Sequence, residues 1–377
     1  MHPHRRLSAR MNIHNTSTTP AVAPTQPVNH PLLKLALDVH VQSIVVAAMA
    51  DALLKPVRRF RPAEFLSWVK SQRAAGWAIV SCYEAGPFGY GLHRQLTALG
   101  VTNHVIRPRN WDEHHGRVKT DRTDARAMLV ALDWFLAGQK KALALVRVPT
   151  EAEEQQRARS RLRQKLVKGK KHLAQHGRGV ALLFGHRLKG QWFGGRNWPR
   201  WKQQLPPHLV ALLEPLRQVI GQLHVQIQML TQELEQSLTL PVPKGLGSLT
   251  VATLEREVCN WRRFKNRRQV AAHTGLVPSE HSSGESRRQG SLTKCGNHRL
   301  RWASCDAAWR LVKYQSRYRL VRKWWPHLTD SHSVGKRKQA IVALARGFAV
   351  DWWRIRTGQT TPPTTGFGTG PTLKPTP

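Results

Sequence analysis

The sequence predicts an α/β domain followed by mainly helical regions, and three observations lead to this fold class. Between residues 32 and 136, apolar runs rich in Val, Ile and Leu alternate with segments of helical spacing, which is typical of a mostly parallel sheet covered by helices. Residues 146–240 combine an Arg- and Lys-rich segment with a heptad-like apolar stripe. Residues 241–356 contain short runs of helical spacing and are expected to form a mainly α domain.

The elements of the first domain, assigned to residues 31–145, can be placed in order. LKLALDVH and SIVVAAMA are β-rich runs separated by a polar break at Gln42, so they predict a hairpin or one long bent strand. A helix follows in PAEFLSWVKSQRAAG, then a buried strand in WAIVSCYE. GPFGYGLHRQLTALG predicts a second helix and VTNHVIRP another strand, and a last helix begins at Thr120.

The middle region contains a charged helix, EAEEQQRARSRLRQKLVKGKKHLAQHGRG, and an apolar stripe after Pro215. The stripe alternates steps of three and four residues through Leu216, Val219, Leu223, Ile227, Leu230 and Leu234. This pattern fits an intramolecular helical hairpin and equally a coiled-coil arm that dimerises, and the sequence leaves both open.

The two ends of the chain differ from the domains between them. Residues 1–30 and 357–377 are rich in Thr and Pro without apolar periodicity, so both are predicted to be disordered tails. The tryptophans of the last domain interleave with basic residues at helical spacing. They are expected mainly in the core or an interface, with stacking on unpaired bases as the alternative: Trp302, Trp309, Trp324, Trp325, Trp352 and Trp353.

Charge indicates a polyanionic partner. The 377 residues include 60 Lys and Arg against 22 Asp and Glu, a formal net charge of +38, which favours nucleic acid or an anionic membrane surface. No apolar run reaches the roughly 18 residues of a membrane span, and the N-terminus lacks the apolar segment of a secretory signal. The four cysteines form no CxxC pair, so neither a zinc site nor a disulfide framework is expected, and a reducing cytoplasmic environment fits best.

Four carboxylates in this basic chain occupy positions that suit metal binding. Asp38 lies in the first strand on the face opposite Leu35 and Leu37, and Glu84 lies at a strand end. Asp121 and Asp124 share one helix face. Singly, each could be a surface or capping residue. Together they would repel one another unless cations neutralise them, and Mg²⁺ or Mn²⁺ held this way can cleave phosphodiesters. Their order along the chain is that of a ribonuclease-H-like nuclease.

Two segments of the last domain are candidates for phosphate contact. KGLGSLTVATL predicts a helix-hairpin-helix-like element in which Lys244, Gly245 and Gly247 grip a phosphate, although a simple turn gives the same pattern. The loop GLVPSEHSSGESRRQGSLTKCGNHRLR is rich in Ser and Gly. Its basic residues are expected to position a phosphate: Arg287, Arg288, Lys294, Arg299 and Arg301. From the residues alone, Ser282 and Ser283 fit turn-forming hydroxyls better than nucleophiles.

In this order, the motifs resemble those of the DEDD transposases of bacterial insertion sequences, the insertion-sequence "one-ten" family, whose N-terminal domain is similar to the RuvC-like Holliday-junction resolvase. The matching motifs span residues 32–355: LALDVH, CYEAG, KTDRTDA, PKGLGSLTVATL, FKNRRQVAAHTGLVPSEHSSGES and GSLTKCGNHRLR. The resemblance implies that Asp38, Glu84, Asp121 and Asp124 form the acidic quartet. It also implies that Ser283, before Gly284, attacks DNA and forms a phosphoserine link, with Ser282 and Ser291 as alternatives. Where the family commonly has small or basic residues after Ser-Gly, this chain has Glu285.

The expected protein is therefore a DNA transposase or recombinase that cuts and rejoins the ends of an insertion element. The expected site is composite, with carboxylate-held metal and the serine acting on one phosphate. The resemblance further implies a structured non-coding RNA as a guide, and symmetry favours a homodimer or tetramer. Two alternatives stay open. One is a metal-dependent Holliday-junction-type endonuclease without a covalent intermediate, and the other is a non-catalytic nucleic-acid-binding protein.

Overall fold

The chain divides after Val148 into two units, which a computed structural model describes for residues 31–111, 120–283, 286, 288–330 and 333–368. The predicted N-terminal tail, residues 1–30, lies outside the described residues. In the described part, no helix is both long enough and apolar enough to cross a bilayer.

The first unit is built on a six-stranded mixed sheet of order β3-β2-β1-β5-β6, with β4 also paired to β2. Its strands are β1 (Leu32–Val39), β2 (Ile44–Ala50), β3 (Leu53–Leu54), β4 (Arg58–Phe60), β5 (Ala78–Glu84) and β6 (Thr102–Ile106). β1 pairs antiparallel with β2, because the chain reverses through a tight turn in which the His40 amide donates to the Ser43 carbonyl at 2.9 Å. The hairpin alternative is thus confirmed. The expectation of a mostly parallel sheet is wrong for β2, β3 and β4, and only β1, β5 and β6 run parallel.

Helices cover both faces of this sheet, and the sheet separates two hydrophobic cores. The helices are α1 (Pro62–Ala74), α2 (Gly91–Ala98) and α3 (Asp121–Leu136). Leu35 and Leu37 of β1 are buried on the same face as the α1 residue Phe65. Ala36 is buried on the other face with Met128 of α3. Period-two alternation therefore puts Asp38 on the α3 face, opposite Leu35 and Leu37, as the sequence predicts.

The second unit begins with an antiparallel helical hairpin formed by α4 (Glu151–Leu183) and α6 (Pro207–Gln236), with the short α5 (Trp198–Gln204) between them. Contacts run in opposite directions along the two helices: Arg159 pairs with Glu233 at 2.6 Å, and Lys170 meets His224 at 3.2 Å. This is the intramolecular hairpin, one of the two alternatives left open by the sequence. α6 begins before Pro215 and continues through it.

The apolar stripe on α6 follows the predicted heptad pattern at every position except Val219. The buried residues Leu213, Ile220, Ile227 and Leu234 lie seven apart. Val219, a predicted stripe residue, is 45% exposed, and Ile220 takes its place in the core. Ile220 is buried instead of Val219 because a step of seven residues from Leu213 reaches the same helix face, whereas a step of six does not.

The rest of the second unit is mainly helical, as expected. Its elements are α7 (Ser248–Val258), α8 (Arg267–Thr274), the hairpin of β7 (Pro278–Glu280) and β8 (Gln289–Leu292), α9 (His298–Tyr314), α10 (Arg319–Thr329) and α11 (Val334–Arg356). Leu300, Leu311, Leu344 and Phe348 are buried at the centre of its core.

Two expectations about the end of the chain are corrected by packing. Phe367 is only 3% exposed and contacts Tyr318 and Phe348, so residues 357–368 belong to the folded unit although the predicted tail begins at residue 357. Burial of this one aromatic side chain orders a segment whose Thr- and Pro-rich composition predicts disorder.

Among the tryptophans, Trp352 and Trp353 are buried as expected, whereas Trp302, Trp309 and Trp325 are exposed.

Candidate active site

Two of the four predicted metal ligands meet at the end of β1, and a histidine joins them. His40 Nε2 lies 3.3 Å from Asp38 Oδ2 and 3.5 Å from Asp121 Oδ2. One ligand atom from each of these three residues lies within 4.8 Å of the others. Convergent carboxylate oxygens, with or without an imidazole nitrogen, are the donors that bind divalent cations.

Local structure explains why these side chains converge. Asp38 is the second-last residue of β1, on the face covered by α3. Thr120 caps α3, since the Thr123 amide donates to Thr120 Oγ1 at 3.3 Å and the Thr120 amide donates to Thr123 Oγ1 at 3.1 Å. This cap starts the helix at Asp121, so both Asp121 and Asp124 lie in its first turn.

The surroundings of Asp38 raise the pKa of its carboxyl group. Partial burial raises the pKa of Asp38, the imidazole of His40 lowers it, and the charges of Asp121 and Asp124 raise it further; the net effect is an increase. Arg59 offsets part of the charge, since its Nη2 donates to Asp121 Oδ2 at 2.9 Å.

Glu84 lies beside this group but has other partners. Tyr83 of β5 pairs with Leu37 of β1, so the next residues, Glu84 and Asp38, are level on adjacent parallel strands. Glu84 Oε1 accepts hydrogen bonds from Trp111 Nε1 at 2.5 Å and from the Arg109 amide at 3.2 Å. Within the described residues, neither Glu84 nor Asp124 belongs to the group whose ligand atoms converge.

Sequence reasoning missed His40 and Arg59. A signal for His40 was present, because a residue two positions after Asp38 lies on the same side of an extended chain. Arg59 comes from β4, whose pairing with β2 no local pattern announces.

The predicted serine lies at the end of the β7–β8 hairpin. Ser283 forms an isolated bridge with Ser286, each amide donating to the other carbonyl at 3.2 and 3.1 Å, and both residues are exposed. Ser282 Oγ donates to Glu280 Oε1 at 2.9 Å. The carbonyl of Ser291 accepts from Ser279 Oγ at 3.1 Å. The predicted residues Gly284, Glu285 and Arg287 lie outside the described residues.

The predicted phosphate-binding residues separate into two groups. Arg288, Lys294 and Lys244 are exposed. Arg299 and Arg301 are engaged within the protein, since Arg299 Nε donates to Gln164 at 3.0 Å and Arg301 Nη1 donates to the Lys294 carbonyl at 3.1 Å.

The predicted glycines form the turn before α7. Gly245 has φ +83°, and a Cβ there would lie 2.4 Å from the Cβ of Tyr314, so glycine is required. Gly247 is the N-cap of α7. The packing against Tyr314 gives this turn a structural role, and contact with a phosphate stays a prediction.

A buried carboxylate in the second unit was also missed by sequence reasoning. Glu257 of α7 is only 2% exposed and accepts from Arg161 Nη2 at 3.0 Å and from Asn297 Nδ2 at 2.8 Å. Burial acts to raise the pKa of Glu257, but the hydrogen bonds from Arg161 and Asn297 and the charges of Arg161 and Arg157 lower it overall. Asn297 also caps α9, so Glu257 links α4 to the start of α9.

Comparison with known proteins gives one consistent result. The sequence profile of the IS116/IS110/IS902 transposase family matches residues 240–321, which include the serine hairpin. A putative transposase of Sinorhizobium fredii, y4rJ, is 30% identical over 82% of this chain and 84% of its own length. The transposase for insertion sequence element IS1111A of Coxiella burnetii is 24% identical over 81% of this chain and 84% of its length. The transposase for insertion sequence element IS1328 of Yersinia enterocolitica is 30% identical over 41% and 48%, respectively.

Proposed function

This chain belongs to the IS116/IS110/IS902 family of insertion-sequence transposases, and we propose that it cuts and rejoins DNA with two sets of groups. The first is a metal site in an RNase-H-like first unit, and the second is a serine nucleophile in the second unit. The observation that carries the proposal is the convergence of Asp38, His40 and Asp121 in a protein of net charge +38.

The two carboxylates at the end of β1 suit Mg²⁺ or Mn²⁺, and the imidazole beside them suits Mn²⁺ better than Mg²⁺. Two carboxylates and an imidazole converge there, and burial together with the charges of Asp121 and Asp124 raises the pKa of Asp38, so a bound cation would favour its ionised form. Asp38, Asp121 and His40 would hold the ion, with Glu84 and Asp124 completing the predicted quartet. When bound, such an ion supplies Lewis acidity at a phosphoryl oxygen.

Residues of the chain supply the rest of the first site. Arg59 balances the charge of Asp121, and the Trp111 indole and the Arg109 amide hold Glu84 in one orientation. The cap at Thr120 fixes the two aspartates of α3 at the helix terminus. Removing the contacts to Glu84 or the cap at Thr120 would change the position of a carboxylate, whereas removing Arg59 would also leave the charge of Asp121 less balanced.

In the proposed covalent step, Ser283 attacks the scissile phosphate. The Oγ–P bond forms as the P–O bond to one strand breaks, the serine proton is lost, and the departing strand oxygen gains a proton. A strand hydroxyl later attacks the phosphoserine and releases the serine. Exposure of Ser283 at the hairpin end supports this role. Ser282 is the rival nucleophile, because its hydroxyl donates to the Glu280 carboxylate, a group that can accept its proton.

The nucleic-acid partners proposed are the DNA of the element and its target, and a structured RNA. Exposed lysines on α4 at helical spacing, Lys165, Lys168 and Lys171, support a polyanion along the hairpin. We also propose a homodimer or tetramer. The exposed apolar residues Val225 and Met229 of α6 support this, because a second copy of the chain could cover them.

The decisive experiment is a search for a covalent adduct. Full-length protein is incubated with Mg²⁺, labelled junction DNA and RNA transcribed from the element flank, and the products are separated on a denaturing protein gel. The expected result is a labelled adduct that persists in S282A and S291A and disappears in S283A. An adduct lost only in S282A would move the nucleophile by one residue. Metal-dependent cleavage without adduct in any variant would replace the covalent mechanism by that of a metal-only endonuclease.

A further inference from the structure

Two adjoining cavities lie in the second unit beside the β7–β8 hairpin, and no predicted site accounts for them. Their volumes are about 740 and 1020 Å³. Both are lined by Gln289 of β8, Trp324 of α10, and Ala343 and Arg346 of α11. Because they share these residues, they form one concave surface, which we call the α10–α11 groove.

The α10–α11 groove is strongly cationic. Asp351, one of its two acidic lining residues, is engaged by Arg319, by Arg354 at 3.5 Å and by the Tyr318 hydroxyl at 2.8 Å. Besides Arg319 and Arg354, the lining carries six further basic side chains: Arg267, Arg268, Lys323, Lys336, Lys338 and Arg346. Glu280 is the other acidic lining residue, so the groove has a large net positive charge that suits a polyanion.

An aromatic ring lies where the two cavities join. Trp324 is half-buried against the core and lines both cavities. The Lys323 ammonium is 5.8 Å from the centre of its ring. Basic side chains around an aromatic platform are typical of sites that bind unpaired bases, because every base has a π-face and every phosphate a charge. A duplex keeps its bases stacked on one another and cannot offer one to a ring that lines a concave surface.

The groove and the candidate nucleophile share a hairpin. Gln289 pairs with Glu280 in the β7–β8 ladder, and both residues line the groove. Ser283 lies three residues beyond Glu280, about 10 Å along an extended chain. A strand held in the groove would therefore lie close to the serine.

We propose that the α10–α11 groove binds an unpaired polynucleotide strand, with one base stacked on Trp324 and the flanking phosphates on Arg346 and its basic neighbours. This inference rests on the proposed function and adds to it the form of the substrate, a separated strand rather than a duplex, and the residues that hold it.

The test measures binding alone, so it is independent of strand cleavage. Full-length protein in EDTA is titrated into a fluorescently labelled 12-nucleotide oligo-dT, and anisotropy is compared with that of a duplex of equal length. We expect W324A to weaken binding of the single strand by about 10- to 100-fold, the usual range for loss of one stacked base. The matched control is W325A, because the neighbouring Trp325 is 46% exposed and lines neither cavity. It should change binding less than about twofold.

Two further variants separate stacking from charge and from folding. W324F keeps a ring and should retain most of the affinity lost in W324A. R346Q should reduce the salt dependence of binding by about 0.7 in log–log slope, the value for one phosphate contact of a single strand, whereas R322Q, outside the lining, should not.

Three results would overturn the inference. The first is equal loss in W324A and W325A, and the second is equal loss in W324A and W324F together with a lowered Tm. The third is displacement of oligo-dT by polyglutamate at the same charge concentration, which would indicate a general acidic-chain site. If S283A binds oligo-dT normally and yet no adduct forms with wild type, the proposed function fails while the groove assignment stands.

Discussion

Two partly or fully buried carboxylates of this protein, one in each unit, have pKa values shifted in opposite directions. Glu257 in the second unit is almost fully buried, yet its pKa lies below the usual value because Arg161 and Asn297 donate hydrogen bonds to it. Asp38 in the first unit keeps 26% of its side chain exposed, yet its pKa is raised. Burial raises the pKa of both carboxylates, and only at Glu257 do hydrogen-bond donors and positive charges outweigh it, so the partners decide the direction of the shift.

This difference separates a structural carboxylate from a candidate ligand. Glu257 has the hydrogen-bond donors that a buried anion needs, so it stabilises the junction of α4, α7 and α9 without any further group. Asp38 has two neighbouring aspartates and one imidazole. A site whose carboxylates are electrostatically unfavourable in the protein alone is stabilised most when a cation binds.

The largest expected effect is on cleavage by D38N. Losing this carboxylate should reduce metal-dependent strand cleavage by roughly two to three orders of magnitude, the scale for removing one preorganised electrostatic contact. Mg²⁺ or Mn²⁺ should raise the Tm of wild type by mass action and leave that of D38N nearly unchanged. In EDTA at pH 7, D38N should have a higher Tm than wild type, because an aspartate of raised pKa lowers the stability of the fold once it is ionised.

D133N provides the matched control for D38N. Asp133 lies on the same helix as Asp121, twelve residues or about 18 Å further along its axis, and pairs with Lys34. It should retain the metal-dependent rise in Tm. If D38N and D133N respond alike to metal, the cluster at the end of β1 is not the ion site.

The contrast between the two carboxylates also shows what the sequence could predict. Alternation along β1 placed Asp38 correctly on the face opposite Leu35 and Leu37, because strand period is a local property. His40 and Arg59 were missed, since their approach to the aspartates depends on the β1–β2 turn and on the pairing of β4. The hydrogen bonds to Glu257 could not be predicted from the sequence either, because Arg161 and Asn297 lie far from it along the chain.

The next effect in size is on stability, in E257Q. Replacing the buried carboxylate leaves the Arg161 guanidinium without its charge partner, and we expect a loss of about 2–3 kcal/mol in the free energy of unfolding by urea. The value is below the usual cost of breaking a fully buried pair because Arg161 is 42% exposed. E233Q removes the exposed pair with Arg159 on the same helical hairpin and should cost about 0.5 kcal/mol or less.

The pH dependence of E257Q follows from the lowered pKa. Glu257 contributes its stability in full above 4.5, its usual pKa, and loses it as the pH falls through the lower pKa of the folded protein. The difference between wild type and E257Q should therefore be constant from pH 5.5 to 7 and shrink below pH 4.5. A difference that grows on acidification would mean that Glu257 resembles Asp38 and that the contrast is wrong.

The smallest effect concerns Arg59, whose guanidinium competes with a metal ion for Asp121. Because the Arg59 side chain is 63% exposed, its attraction for Asp121 should be about 0.5–1 kcal/mol. R59Q should then bind Mn²⁺ about two to five times more tightly than wild type in a calorimetric titration, with little change in Tm in EDTA. R58Q is the control, since Arg58 lies over the Phe60 ring at 4.5 Å instead of on a carboxylate. Tighter binding in R59Q alone would assign Arg59 the role of a resident counter-ion, whereas weaker binding would mean that Arg59 holds Asp121 in the orientation that the metal requires.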